Sequence, residues 1–293
     1  MRLGALIIAL CILLGSLSVA EAKGASPKKA APAPKAEPVE ITADESLEWH
    51  QVKNIYVAKG NAKAVSGDLT VTADLLTAHK RDTPKVKAKK TDNKAAGTGD
   101  IDKLTAEGNV VILKSGSRIT GDLAVDDLDK KVVIVTGDNL RYENDKQVVT
   151  ARESLEYWED RKTAIARGKA TAVKGDRRIT GDLLTAEFRP QPNGKDQLNK
   201  LSAAGNVTVV TKNDVVRGDR GVYDAARDIA VITGHVRITR GDGLELTGDV
   251  GEADFKTNQS RLINSGGGRV RALLPAKTSS KTSGGAKSKV GAP

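Results

Sequence analysis

At 293 residues the chain is long enough for one sizeable domain, and its formal charge of +10 raises the question of a polyanionic partner. That charge divides roughly as +3 over 23–37, +4 over 80–100 and +4 over 277–293, leaving about −1 for everything else. A near-neutral middle with 3% aromatic residues lacks the basic face and stacking platforms of a nucleic-acid reader, and a single cysteine excludes an intrachain disulfide.

The first segment, 1–22, reads as an export signal: Arg2 supplies the positive start, Leu3 to Val19 is apolar or small, and Ala20-Glu21-Ala22 offers a cleavage site after Ala22. An uncleaved anchor is the competing reading. Cys11 lies within this run, so the exported chain has no thiol. Next comes an Ala/Pro/Lys linker over 23–38, expected to be disordered, as is the Lys/Ser/Gly tail over 275–293. Between them, 39–274 reads as one β-domain, interrupted at 80–100 by a Lys-rich loop insertion.

Within that domain a pattern recurs. Gly60-Asn61, Gly108-Asn109, Gly168-Lys169, Gly205-Asn206 and Gly234-His235 each precede a short alternating stretch. Each is answered by a Gly-Asp pair, at Gly67-Asp68, Gly121-Asp122, Gly181-Asp182, Gly218-Asp219 and Gly248-Asp249. Glycine accepts positive φ without steric cost, and Asn and Asp tolerate it, so the pairs predict turns or bulges in a sheet. Strands follow from alternation: period two puts Val207 and Val209, and likewise Val236 and Ile238, on one face. The runs 110–113 and 132–135 are apolar on both faces, as in a strand covered on each side. Helical stripes fail to persist, and even 151–158 (ARESLEYW) reads as strand leading to a turn at 159–162.

Catalytic and metal chemistry find little purchase. His50, His79 and His235 are scattered, with no metal-ligand spacing, and read as solvent-facing strand residues. Asp126-Asp127 and Glu159-Asp160 read as exposed turn carboxylates rather than an acid/base pair. Gly266-Gly267-Gly268 before Arg269 lacks the strand and helix of a phosphate-cradling loop and reads as a turn. The expectation is therefore no enzyme, no metal and no cofactor.

The segments IDKLTAEGNVVI (101–112), LNKLSAAGNVTVVT (198–211) and AVITGHVRITRGDGLELTGDVGEADFKTNQSRL (230–262), with ITADESLEW (41–49), resemble the LptA/OstA-like family of lipopolysaccharide-transport proteins. The resemblance implies an all-β fold, a rolled antiparallel β-jelly-roll that is elongated and open-ended. It implies a periplasmic protein that shields the acyl chains of lipid A and bridges inner and outer membrane in lipopolysaccharide export. Its partners would be lipopolysaccharide, related OstA-like domains of the inner- and outer-membrane components, and further copies stacked head to tail. Alternation and resemblance together nominate Val110, Ile112, Ile134, Val207, Val209, Val236, Ile238, Leu244 and Leu246 as interior, lipid-binding positions; core packing alone accounts for each of them equally well. A polymerising envelope scaffold that carries no lipid is the alternative function.

Overall fold

The computed structural model describes residues 39–81, 101–191, 196–257, 259–265 and 267–274. The leader, the linker, the C-terminal tail and all but the first two residues of the 80–100 insertion lie outside the described residues. Among the described residues there is no helix; the chain forms one 18-stranded antiparallel sheet. The strands are β1 (Glu40–Thr42), β2 (Ser46–His50), β3 (Ile55–Ser66), β4 (Leu69–Lys80), β5 (Ile101–Lys114) and β6 (Ser117–Asp127). They continue with β7 (Val132–Thr136), β8 (Arg141–Asn144), β9 (Gln147–Thr150), β10 (Ser154–Trp158), β11 (Thr163–Lys174) and β12 (Arg177–Pro190). The last are β13 (Asp196–Val210), β14 (Asp214–Asp224), β15 (Ile229–Arg240), β16 (Glu245–Asp254), β17 (Gln259–Ile263) and β18 (Arg271–Leu273).

The long strands pair in sequence order, so the sheet is a meander. Some tiers are broken in two: β1 and β2 both pair with β3, β7 and β8 with β6, β9 and β10 with β11, and β17 and β18 with β16. The long strands bend at the same level instead. Register shifts fall between Lys59 and Ala62, Glu107 and Val110, Arg167 and Ala170, Ala204 and Val207, and Thr233 and Val236. At each, two successive residues have positive φ: Gly60-Asn61, Gly108-Asn109, Gly168-Lys169, Gly205-Asn206 and Gly234-His235. Aligned from strand to strand, these bulges crease the sheet along one line, and a bulge both bends its strand and sharpens local twist.

A carboxylate from the preceding strand or loop secures four of the five bulges. Asn61 Nδ2 donates to Asp44 at 2.8 Å, Asn109 Nδ2 to Asp74 at 2.9 Å and Asn206 Nδ2 to Asp182 at 2.8 Å, while His235 Nδ1 lies 2.9 Å from Asp219. The aspartate sits where a side chain at the bulge glycine would have to go: a Cβ on Gly205, at φ +73°, would lie 2.9 Å from Asp182 Cγ. The Gly-Asp pairs thus have a different role from the one read in the sequence. Gly121, Gly181, Gly218 and Gly248 occupy paired strand positions, without positive φ, beside the crease. At Gly218 a Cβ would meet Ile232 Cγ1 at 2.6 Å, so lack of bulk is what the site demands. The counterpart in the first copy is Ala73-Asp74; Gly67-Asp68 is the β3–β4 hairpin turn.

Folding along the crease makes two leaves that face one another. One inner row of the first leaf runs through paired positions from Leu47 by way of Ala58, Leu76, Ala106, Ala124, Val135, Leu155, Ala166, Leu184, Ala203, Gly221, Ile232 and Gly251 to Leu262. The matching row of the second leaf runs from Ile41 through Ala64, Val71, Ile112, Ile119, Tyr142, Val149, Ala172, Ile179, Val209, Val216, Ile238 and Leu246 to Ala272. Most of these side chains belong to one apolar core. Half of the first row is Ala or Gly, whereas larger aliphatics dominate the second, which lets the leaves interdigitate.

Candidate functional site

Seven of the nine nominated residues face this interior. Val110, Val207 and Val236, each 1% exposed, line the crease, and Ile112, Val209, Ile238 and Leu246 share the inner row of the second leaf. Leu244 is half-buried just before β16, where its carbonyl accepts from Arg240 N at 2.9 Å. Ile134 is a correction. On β7 it is Val133 and Val135 that contribute to the core and line the interior cavity, so period two turns Ile134 to the outer face, opposite Val125 and Glu156.

Between the leaves the packing leaves a cavity of about 40 Å³, bounded by Val133, Val135, Leu155, Tyr157, Ala164 and Leu184 of the first leaf and Ile119, Val149 and Ala172 of the second. Its walls are apolar, but it is too small for an alkyl chain. A larger apolar guest would need the leaves to spread.

The free lips of the two leaves differ in charge. Continuing period two along β5, β9 and β11, the second leaf presents Lys114, Gln147 and Lys174 beyond its aliphatic row. Lys114 is 5% exposed and its ammonium is held below the usual lysine value by burial, with Asp68 opposing. Lys174 is lowered too, by burial first and then by Lys146 and Arg177. Ser117 Oγ lies 3.2 Å from Tyr142 Oη, which also accepts from Asn144 Nδ2 at 2.8 Å, giving this lip a polar stretch.

The first leaf carries acid instead. Asp126 lies on its inner face in paired register with Leu104 and Val133, and Val133 pairs in turn with Tyr157. It is thus a half-buried strand residue and not the exposed turn carboxylate expected; burial chiefly, then Glu159 and Asp127, push its carboxyl up to about 7. Tyr157 is 5% exposed and its hydroxyl has no hydrogen-bond partner among the described residues; burial, Asp196 and Glu159 push it up as well. Sequence could not expose this pair, because only the strand register sets Asp126 and Tyr157 on one row. Among the described residues no group of His, Cys, Asp and Glu is arranged to hold a metal ion.

A creased antiparallel sheet with an apolar interior and two polar lips makes an open β-roll. Residues 148–259, from β9 to the start of β17, match the family described as LptA/(LptD N-terminal domain) LPS transport protein. No curated protein matches the sequence. Among solved structures, LptH of Pseudomonas aeruginosa, the LptA-homologous periplasmic component of that organism's lipopolysaccharide transport device, is similar at 11% identity over 82% of this chain and 96% of that one, with a TM-score of 0.20.

Proposed function

We propose that the chain is a periplasmic carrier in lipopolysaccharide export, shielding lipid A acyl chains between its leaves and bridging the inner and outer membranes. The observation that carries this reading is the unbroken inner row of the second leaf, apolar from β1 to β18, which gives an acyl chain a continuous track along the roll. Each methylene withdrawn from water there contributes about 0.8 kcal/mol, so passage through an aqueous compartment needs no nucleotide at this subunit. The leader-like 1–22 and the family's transport description support export to the periplasm, with 39–274 as the carrier domain. Phosphorylated head groups would lie along the lip that bears Lys114 and Lys174.

Partner binding follows from the ends of the sheet. Among the described residues β1 with β2, and β17 with β18, each pair on one side only, which offers their outer backbone groups for strand addition by another copy or by a related OstA-like domain. The scaffold reading draws on a specific observation of its own, the tightly packed interior. Photo-crosslinkers at Ile112, Val209 and Ile238, with the outward Ile134 as control, separate the two. Adducts with lipopolysaccharide at the first three and none at Ile134 are expected; no adducts, or equal labelling at Ile134, would leave the scaffold.

A further inference from the structure

The acidic corner of the first leaf holds polar groups that the fold does not use. Tyr157 is almost wholly buried, and its hydroxyl is without a partner among the described residues. Two strands away on the same inner row, Asp126 makes no hydrogen bond or ion pair with any described residue, nor does the side chain of Glu159, which follows Tyr157 by two positions. Strands lie about 4.8 Å apart, so Asp126 and Tyr157 arise roughly 10 Å from each other, within reach of one small group between their side chains. Glu159 is felt by both.

Four of the described cations around this corner are already engaged. Lys162 Nζ is 3.3 Å from Asp196, Lys131 Nζ is 2.7 Å from Asp160, Lys130 Nζ is 2.8 Å from Asp127, and Arg161 lies over the Trp158 ring at 4.6 Å. A buried phenol oxygen and two carboxylates left without counter-charge among the described residues are costly in a fold that gains nothing from them. An ammonium group, with three donors and one positive charge, answers all three: it donates to both carboxyls and to Tyr157 Oη. An anion would be repelled, and a neutral hydroxyl would leave the charge uncompensated.

We propose that Asp126, Tyr157 and Glu159 form a site for the ammonium group of an amphiphile whose tail occupies the interior. This rests on the carrier reading and narrows it, since the lip bearing Lys114 and Lys174 then takes acidic head-group substituents while the opposite lip takes amino-bearing ones.

Calorimetry on the mature chain, with dodecylammonium and dodecanol each below its aggregation concentration, tests it. Dodecylammonium is expected to bind at least about tenfold more tightly than dodecanol, and the Asp126→Asn, Glu159→Gln double variant is expected to lose that preference without weakening dodecanol. Tyr157→Phe should lower the preference several-fold. Because the ammonium favours ionised Asp126, binding near pH 7 should release protons, seen as heats that vary with the buffer's ionisation enthalpy and vanish in Asp126→Asn. Equal affinity for the two amphiphiles, or a preference that survives the double variant, would overturn the site and leave the carrier standing, as would binding of lipopolysaccharide without binding of dodecylammonium. If neither amphiphile nor lipopolysaccharide binds, both readings fall.

Discussion

Asp126 shows how one residue on the inner face ties stability to pH. Its carboxyl ionises near 3.8 when unconstrained and at about 7 in the fold, so between these limits the folded chain holds a proton that the unfolded chain has released. The stabilisation associated with that proton is complete below 3.8 and disappears as pH rises to about 7. Asn at this position does not titrate. Asp126→Asn is therefore expected to match the parent in thermal unfolding near pH 4 and to exceed it at pH 8 by on the order of 2 kcal/mol, a figure discounted for a carboxyl that is only half-buried. A gap independent of pH would mean that Asp126 is ionised throughout and already compensated within the fold.

At the scale of the strand, the crease is the repeating device. Gly205 and Gly116 have nearly the same backbone, φ +73° and +77°, but different surroundings: a side chain on Gly205 would enter the Asp182 carboxylate, whereas nothing lies within 4 Å of Gly116 in the β5–β6 turn. Gly116→Ala should cost about 1 kcal/mol, for the left-handed backbone alone. Gly205→Ala should cost about 2–3 kcal/mol, because it also displaces the carboxylate that accepts from Asn206. Urea unfolding of the two variants measures the difference, and equal costs would remove the aspartate from any part in shaping the crease. Much of this element was legible in sequence. The Gly-Asn pairs declared their positive φ, and strict alternation placed Val207, Val209, Val236 and Ile238 on the inner face. Ile134 was not legible, because Val132-Val133-Ile134-Val135 is apolar on both faces and has no phase to read. Nor was the aspartate's role: Ala73 stands where later copies have glycine, so the first copy seemed to find its partner at Gly67-Asp68, and a contact between adjacent strands has no signature within either one.

For the whole molecule, the meander makes stability a matter of neighbours, since each tier is held by the tiers on either side and by the leaf opposite. Burial is uneven along it. β1 and β18 are exposed throughout and β2 and β17 mostly so, while the core draws on strands from β4 to β15. Opening therefore starts at the ends, and amide exchange is expected to be fast in β1, β2, β17 and β18 and slowest in β11 to β13. These same end strands carry the unpaired edges proposed for assembly, with Leu47 and Trp49 exposed at one end and Leu273 at the other. An edge that frays alone and orders when a partner adds its strand is protected in proportion to occupancy. Exchange compared between dilute and concentrated protein should then show slowing confined to β1 and β2 at one end and to β17 and β18 at the other, with the central strands unchanged. Slowing at one end only would make the contact a two-fold pairing of like edges, which closes at a dimer; slowing at both is what an open head-to-tail stack requires. Protection spread over the central strands would instead place the contact on a leaf surface, and the edges would lose their claim to partner binding.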